Sequence, residues 1–185
     1  MFMETIFTLR WDDDSIVTAQ LETDMHGKRL VALRDSSVSF RKCRSTKPIP
    51  LEGRHFYELI VDFPEPGASN VCALGIANRG FPASTGPGWS DENEGIGCYS
   101  SGLLYRNAQG CGSIDSYENG DTIGVLVDRQ AHRVYYFING RRQSTYVEDK
   151  RLEGGERYIA CIMCREAKVT LKSHRTDVSN DMPTT

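Results

Sequence analysis

The chain has 185 residues, a formal net charge of −3, 39% hydrophobic and 25% charged residues. That length suits one domain able to bury roughly 70% of its unfolded surface, so neither a disulfide nor a metal is needed to hold it. The slightly acidic balance excludes a general attraction to nucleic acid or an anionic membrane, and no run approaches the ~18 apolar residues of a membrane span.

Residues 1–14 carry charges early and lack an apolar h-region, so they are not a signal peptide. Phe7, Leu9 and Trp11 alternate there, which fits a short edge strand or a tether, an N-terminal extension packing on or near the domain. No asparagine is followed by x-Ser/Thr, so no glycosylation acceptor exists. The six cysteines read as free thiols, mostly small buried apolar residues, of an intracellular, cytoplasmic protein.

Residues 15–22 alternate as a strand does. Residues 25–28 make a turn, and residues 30–33 and 37–40 are the next short strands. Residues 41–54 are basic and broken by Pro48 and Pro50, which predicts a loop or a sheet edge. Residues 55–63 are a strong strand, closed by residues 64–70, with residues 71–77 expected as its partner. Residues 78–95 are irregular and crowded with Gly, Pro and Ser. Ile96–Tyr99 and Leu103–Arg106 are expected to pair, and residues 107–119 to form a Gly-rich loop. Thr122–Asp128 and Arg133–Ile138 follow, two runs of alternating apolar residues across a short polar break, which predicts an antiparallel hairpin. Asn119-Gly120 and Asn139-Gly140 supply the residues that tolerate positive φ at its flanks. Both faces of the hairpin are apolar, so it belongs inside a larger β assembly. Residues 142–156 are polar and turn-rich, residues 158–164 and 168–172 are the last strands, and residues 173–185 are a polar tail. About ten to twelve short strands with no helices between them predict an all-β antiparallel sandwich over residues 15–172.

Gly120-Asp121, Ile123-Gly124-Val125, Asp128, Tyr136-Phe137 and Asn139-Gly140 together resemble the signature of the SPRY (B30.2-like) domain. Gly53 with His55-Phe56-Tyr57-Glu58, Leu74-Gly75-Ile76-Ala77, and Gly95-Ile96-Gly97-Cys98-Tyr99 with Gly102 and Tyr105 are similar to further strands of that family, in the family's order. Tyr158-Ile159-Ala160 and Val169-x-Leu171 resemble its closing strands. The resemblance implies a bent two-sheet antiparallel β-sandwich, a concanavalin A-like jelly roll, that binds protein segments through loops at one end. The chain shows no RING or SOCS-box sequence and no extra PRY segment, so by itself it is not expected to act as a ubiquitin ligase.

Sites of chemistry have weak support. Cys161-x-x-Cys164 lies in a strand, where residues three apart face opposite sides, and no second pair completes a metal site. Asp91-Glu92-Asn93-Glu94-Gly95 lacks the later bidentate Glu of a calcium loop. The chain has no nucleophile elbow and no phosphate loop. No enzyme, cofactor or metal is therefore expected. Arg41, Lys42, Arg44 and Lys47 read as a solvated guard of a sheet edge. A lectin-like carbohydrate-binding or glycan-processing sandwich is the alternative, with Glu58 and Asp62 on one strand face as the pair to check.

The 18-residue irregular stretch 78–95 is the candidate for function, because connections of that length in a compact domain are usually functional. It holds Arg79, Phe81 and Trp89, and Arg and Trp are over-represented among interface hot spots. The competing reading is that the aromatic rings form the loop's own core. Tyr105, Arg106, Tyr117 and Arg142 are weaker candidates on neighbouring loops. The expectation is a monomeric adaptor that recognises a short peptide or loop of a partner protein.

Overall fold

Alternation of β-branched and aromatic residues in Thr122–Asp128 and Arg133–Ile138 produces the expected antiparallel hairpin, in which Val127 faces Val134 and Val125 faces Tyr136. Asn139 and Gly140 take φ of 51° and 79°, the two left-handed residues that a tight hairpin turn requires. The Asn139 side chain accepts from the Thr122 backbone N–H at 2.9 Å and donates to Asp121 at 2.7 Å, which ties the turn to the hairpin's start. The chain then returns as a further strand, Arg141–Glu148.

The computed structural model describes residues 19–24, 27–32, 41–45, 47–62, 72–80, 86–89, 95–163 and 168–176. Among them, the strands in chain order are β1 (Ala19–Asp24), β2 (Gly27–Ala32), β3 (Arg41–Arg44), β4 (Arg54–Asp62), β5 (Cys72–Ala77), β6 (Ile96–Tyr99), β7 (Leu103–Arg106), β8 (Gln109–Ser113), β9 (Thr122–Asp128), β10 (Arg133–Ile138), β11 (Arg141–Glu148), β12 (Tyr158–Met163) and β13 (Lys168–Thr176). They form two antiparallel sheets, ordered β1-β2-β13-β4-β9-β10-β11 and β3-β12-β5-β6-β7-β8. One 3-10 turn, Lys150–Glu153, is capped by the Asp149 carboxylate, which accepts from Arg151 N–H at 3.0 Å. No helix among the described residues is long and apolar enough to cross a membrane.

The core lies between the sheets. Tyr57, Leu59, Val61, Val125, Val127, Val134 and Tyr136 come from the first, and Leu74, Ile76, Ile96, Cys98, Leu104, Ile159 and Cys161 from the second. Each such side chain contributes about 1.5–3 kcal/mol by leaving water. Cys72, Cys98, Cys111 and Cys161 form no disulfide, three of them are buried, and burial pushes the Cys98 thiol up from its ordinary range.

Several expectations are corrected. β5 does not pair with β4. The two strands belong to different sheets, and β4 lies between β13 and β9. Residues 107–119 are not simply a loop: Gln109–Ser113 pairs with β7, although its glycines hide the strand signal. Residues 142–156 are not simply turns. β11 is an edge strand whose burial alternates, and Gln143 and Val147 are its buried residues, so its inward face carries little apolar signal. The last strand runs on to Thr176 and not only to Lys172, since His174, Arg175 and Thr176 pair with Tyr57, Phe56 and His55. Arg44 is not a solvated edge guard. It is buried, lies 4.5 Å over the Tyr158 ring and donates to the Ser45 carbonyl. The strand expected at residues 37–40, residues 91–94, Cys164 and the alternating residues Phe7, Leu9 and Trp11 lie outside the described residues.

One buried cation locks the end of the sandwich. Arg129 follows the β9 strand, is 3% exposed, and donates to the carbonyls of Pro50 (3.0 Å), Leu152 (2.9 Å) and Ile49 (3.2 Å). Its fork of five N–H groups suits several acceptors at once. Burial pushes its guanidinium down to about 10, with the nearby Arg157 charge adding to that effect. Even so, it stays a cation at neutral pH.

Candidate functional site

Residues 86–89, in the connection after β5, pass over β6 and β7 of the second sheet, and two glycines allow the close approach. A Cβ on Gly97 of β6 would stand 2.1 Å from the Pro87 carbonyl oxygen, so only glycine admits the crossing chain. Gly88 has φ of +78°, and a Cβ there would meet the Tyr105 carbonyl oxygen at 2.2 Å. The Gly88 carbonyl accepts from Ala108 N–H at 2.9 Å, and Trp89 N–H closes a turn onto the Gly86 carbonyl at 3.1 Å. Residues 86–88 are buried, which pins the base of the next side chain.

That side chain is Trp89. Its ring lies 4.6 Å from the Tyr105 ring and 5.7 Å from that of Tyr99, and the two tyrosines meet edge to face at 5.2 Å. Such contacts are worth about 0.5–1.5 kcal/mol each beyond area burial. Trp89 still leaves 48% of its surface in water, and Leu103, at 44%, is exposed on the same sheet. Cys98 pairs with Leu104, so the register sets Tyr99 opposite Leu103, and Tyr105 is two residues further along the same face. Burial, and secondarily the neighbouring Tyr105, pushes the Tyr99 hydroxyl well above its ordinary value. Tyr99 is therefore neutral across the physiological range. The result is a solvent-facing aromatic patch on a rigid hairpin floor.

The other sequence candidates separate from this patch. Arg79 is exposed in the turn after β5, close enough to Tyr158 for its charge to act on that phenol. Ala77 pairs with Tyr158, whereas Tyr99 pairs with Ala73. Arg79 thus lies past the Ala77 end of β5, beside Tyr158, whereas Tyr99 lies level with Ala73 near its other end. Arg106 does not face the patch either. Its guanidinium donates to the Glu148 carbonyl of β11 and so bridges the two sheets. Tyr117 is 2% exposed, and its hydroxyl is shared between the carbonyls of Cys72 (3.1 Å) and Cys98 (3.0 Å). It belongs to the core and offers a partner no surface. Arg142 lies on the other sheet, 4.4 Å over the Tyr135 ring. Phe81 lies outside the described residues. Tyr99 and Leu103 were missed as site residues, although the hairpin register of β6 and β7 already put them beside Tyr105.

The carboxylate pair needed for sugar chemistry is otherwise engaged. Glu58 accepts from the Ser173 hydroxyl at 2.6 Å and stands 3.8 Å from Arg175, and among the described residues no second carboxylate faces it across a cleft. Among the described residues no group of three or more His, Cys, Asp or Glu could hold a metal.

The sequence model of the SPRY domain matches residues 54–175. Similar solved structures include the SPRY domain of human HERC1, with a TM-score of 0.71, 13% identity, and coverage of 88% of this chain and 97% of that one. A human SPRY domain aligns with a TM-score of 0.65 and 18% identity, covering 85% and 96%. The TRIM65 PSpry domain aligns with a TM-score of 0.66 and 11% identity, covering 89% and 91%. At these identities the structures show a shared fold. No curated protein matches the chain.

Proposed function

The chain belongs to the SPRY-domain family, a family of protein-interaction modules, and on that premise we propose that it is a non-catalytic adaptor whose binding surface is centred on Trp89, Tyr99 and Tyr105. The observation that carries this reading is Trp89 itself. A tryptophan held from below by two tyrosines and by a buried Gly-Pro-Gly base, yet 48% exposed, is preorganised to bury its free face against something else. Leu103 widens the patch, so a short peptide or loop with an apolar anchor is the partner that fits.

The test separates binding from folding. Trp89→Ala and Tyr105→Ala should each weaken capture of a partner from the protein's own cell lysate, by about 2 kcal/mol or more once that partner is isolated and titrated. Melting temperature should fall little for Trp89→Ala, because half of its ring is already in water. Normal partner affinity in both variants would place the interface elsewhere. Unfolding of Trp89→Ala would make the ring part of the loop's own core.

A further inference from the structure

The seven-stranded sheet carries a second apolar layer on the face turned away from the core. Phe56, Leu126, Tyr135 and Phe137 form a separate cluster there, none more than 7% exposed. Register explains it: Phe56 pairs with Leu126, Leu126 with Tyr135, and Phe137 with Gly124. Because Gly124 has no side chain, the Phe56 ring closes over it and meets Phe137 edge-on at 5.2 Å. The rim carries three arginines, of which Arg133 is paired with Glu148 at 2.9 Å and Arg175 stands 3.8 Å from Glu58. Arg175 lies 5.1 Å over Phe56, Arg142 lies 4.4 Å over Tyr135, and Arg133 lies 4.6 Å over Tyr146, which is 41% exposed. An antiparallel sheet with one face open to water alternates apolar-in with polar-out. Phe56 and Leu126, at 2% exposure, and Phe137, at 3%, do not fit an open face. Among the described residues, those rim arginines and the Tyr146 ring, 5.4 Å from that of Tyr135, are the side chains seen against the cluster.

We propose that this face is a docking surface for the chain's own residues 1–14. Three features select that segment. Phe7, Leu9 and Trp11 alternate, so they present one apolar stripe to a flat surface. Asp12, Asp13 and Asp14 follow directly and complement Arg175, whose side chain is 54% exposed and stands 3.8 Å from Glu58. Reach also fits. The segment leads into Ala19 on β1, three strands from β4 and five from β10 in the same sheet. From Ala19 to the Phe56–Phe137 cluster is on the order of 30 Å, allowing for strand spacing and for distance along the strands. Phe7 is twelve residues before Ala19 and extends up to about 40 Å, whereas Trp11 extends up to about 29 Å and meets the near rim at Arg175 and Phe56. The other terminal segment, residues 177–185, starts beside Arg175 but contains no aromatic residue. This surface is on the sheet opposite Trp89, so the two readings stand or fall separately.

The chain has two tryptophans, so Trp89→Phe leaves Trp11 as the only reporter in the full-length protein. Trp11 should show blue-shifted emission and protection from acrylamide quenching. Adding Arg175→Glu with Tyr146→Ala should shift the emission to the red and bring quenching close to that of the denatured chain, with the β circular dichroism spectrum retained. If that pair of changes unfolds the domain, replacing Asp12, Asp13 and Asp14 by Lys serves instead, since it leaves the sheet untouched, and it should release Trp11 in the same way. An accessible Trp11 in the Trp89→Phe parent overturns the proposal. So does a shielded Trp11 that neither rim nor aspartate changes release, because its cover then lies elsewhere. Shielding that disappears on dilution, alongside a dimer in sedimentation, would assign the face to a second copy of the chain and overturn it as well.

Discussion

The His174 ring lies flat on the Tyr57 ring, with centroids 4.3 Å apart and planes 4° from parallel. The register of β13 against β4 sets those two residues opposite each other. The His174 Nε2 is buried with no hydrogen-bond partner, and His55 stands 6.0 Å away. Burial, with the neighbouring His55 in second place, pushes His174 down from 6.5 to about 4.

That arrangement predicts acid sensitivity. Between pH 6.5 and about 4 the unfolded chain binds a proton at His174 that the folded chain refuses, so stability falls as pH falls through this window. The expected loss is about 1–2 kcal/mol once solvent screening of the partly buried ring is allowed for. For a domain of this size that is about 2–8 °C in melting temperature. His174→Gln should flatten this part of the pH profile in a thermal melt. A slope unchanged by the substitution would assign the sensitivity to another group.

Arg129 should behave as a structural staple. Arg129→Ala leaves the carbonyls of Ile49, Pro50 and Leu152 without their donor, at a cost on the order of 3 kcal/mol or more. Arg129→Lys should recover little of this, because a single ammonium cannot reproduce the planar fork. Urea unfolding of both variants is the measurement, and equal stability of Lys and Arg would contradict the geometric argument.

Gly97 links the strand to the binding loop. Gly97→Ala should destabilise the domain by about 1–3 kcal/mol, because the new methyl group has to displace the Pro87 carbonyl. The same displacement shifts the base of Trp89, so partner affinity should fall in parallel. Gly110→Ala is the control: nothing lies within 4 Å of a Cβ placed there, and stability should hold or rise slightly. Normal binding by Gly97→Ala would mean that the loop seats Trp89 independently of the sheet.

Phe137→Ala should cost about 3–5 kcal/mol, since its ring is 3% exposed and meets the Phe56 ring edge-on. The loss belongs to the outer layer rather than to the core between the sheets. Wild-type melting in this variant would mean that the outer layer contributes nothing to stability.

Local chemistry by itself determined the strands that announce themselves. The 122–140 hairpin needed only its period of two and its Asn-Gly turn, and residues 55–63, 96–99 and 103–106 were legible for the same reason. From strand spacing and ordered motifs, the all-β sandwich and the family followed. Weakly patterned strands were not legible. β8 is rich in glycine, and β11 buries a glutamine where an apolar residue would have signalled a strand. Sheet membership was also beyond local pattern. β4 and β5 follow each other in sequence, yet they lie in opposite sheets, because pairing is chosen by long-range packing. The site divides in the same way. Trp89 and Tyr105 could be named from composition and loop length, but that Tyr99 joins them while Tyr117 sinks into the core depends on which side of a strand or loop meets the second sheet. Tertiary structure alone decides this, since burial is a property of what packs against a residue and the residue type carries no record of it.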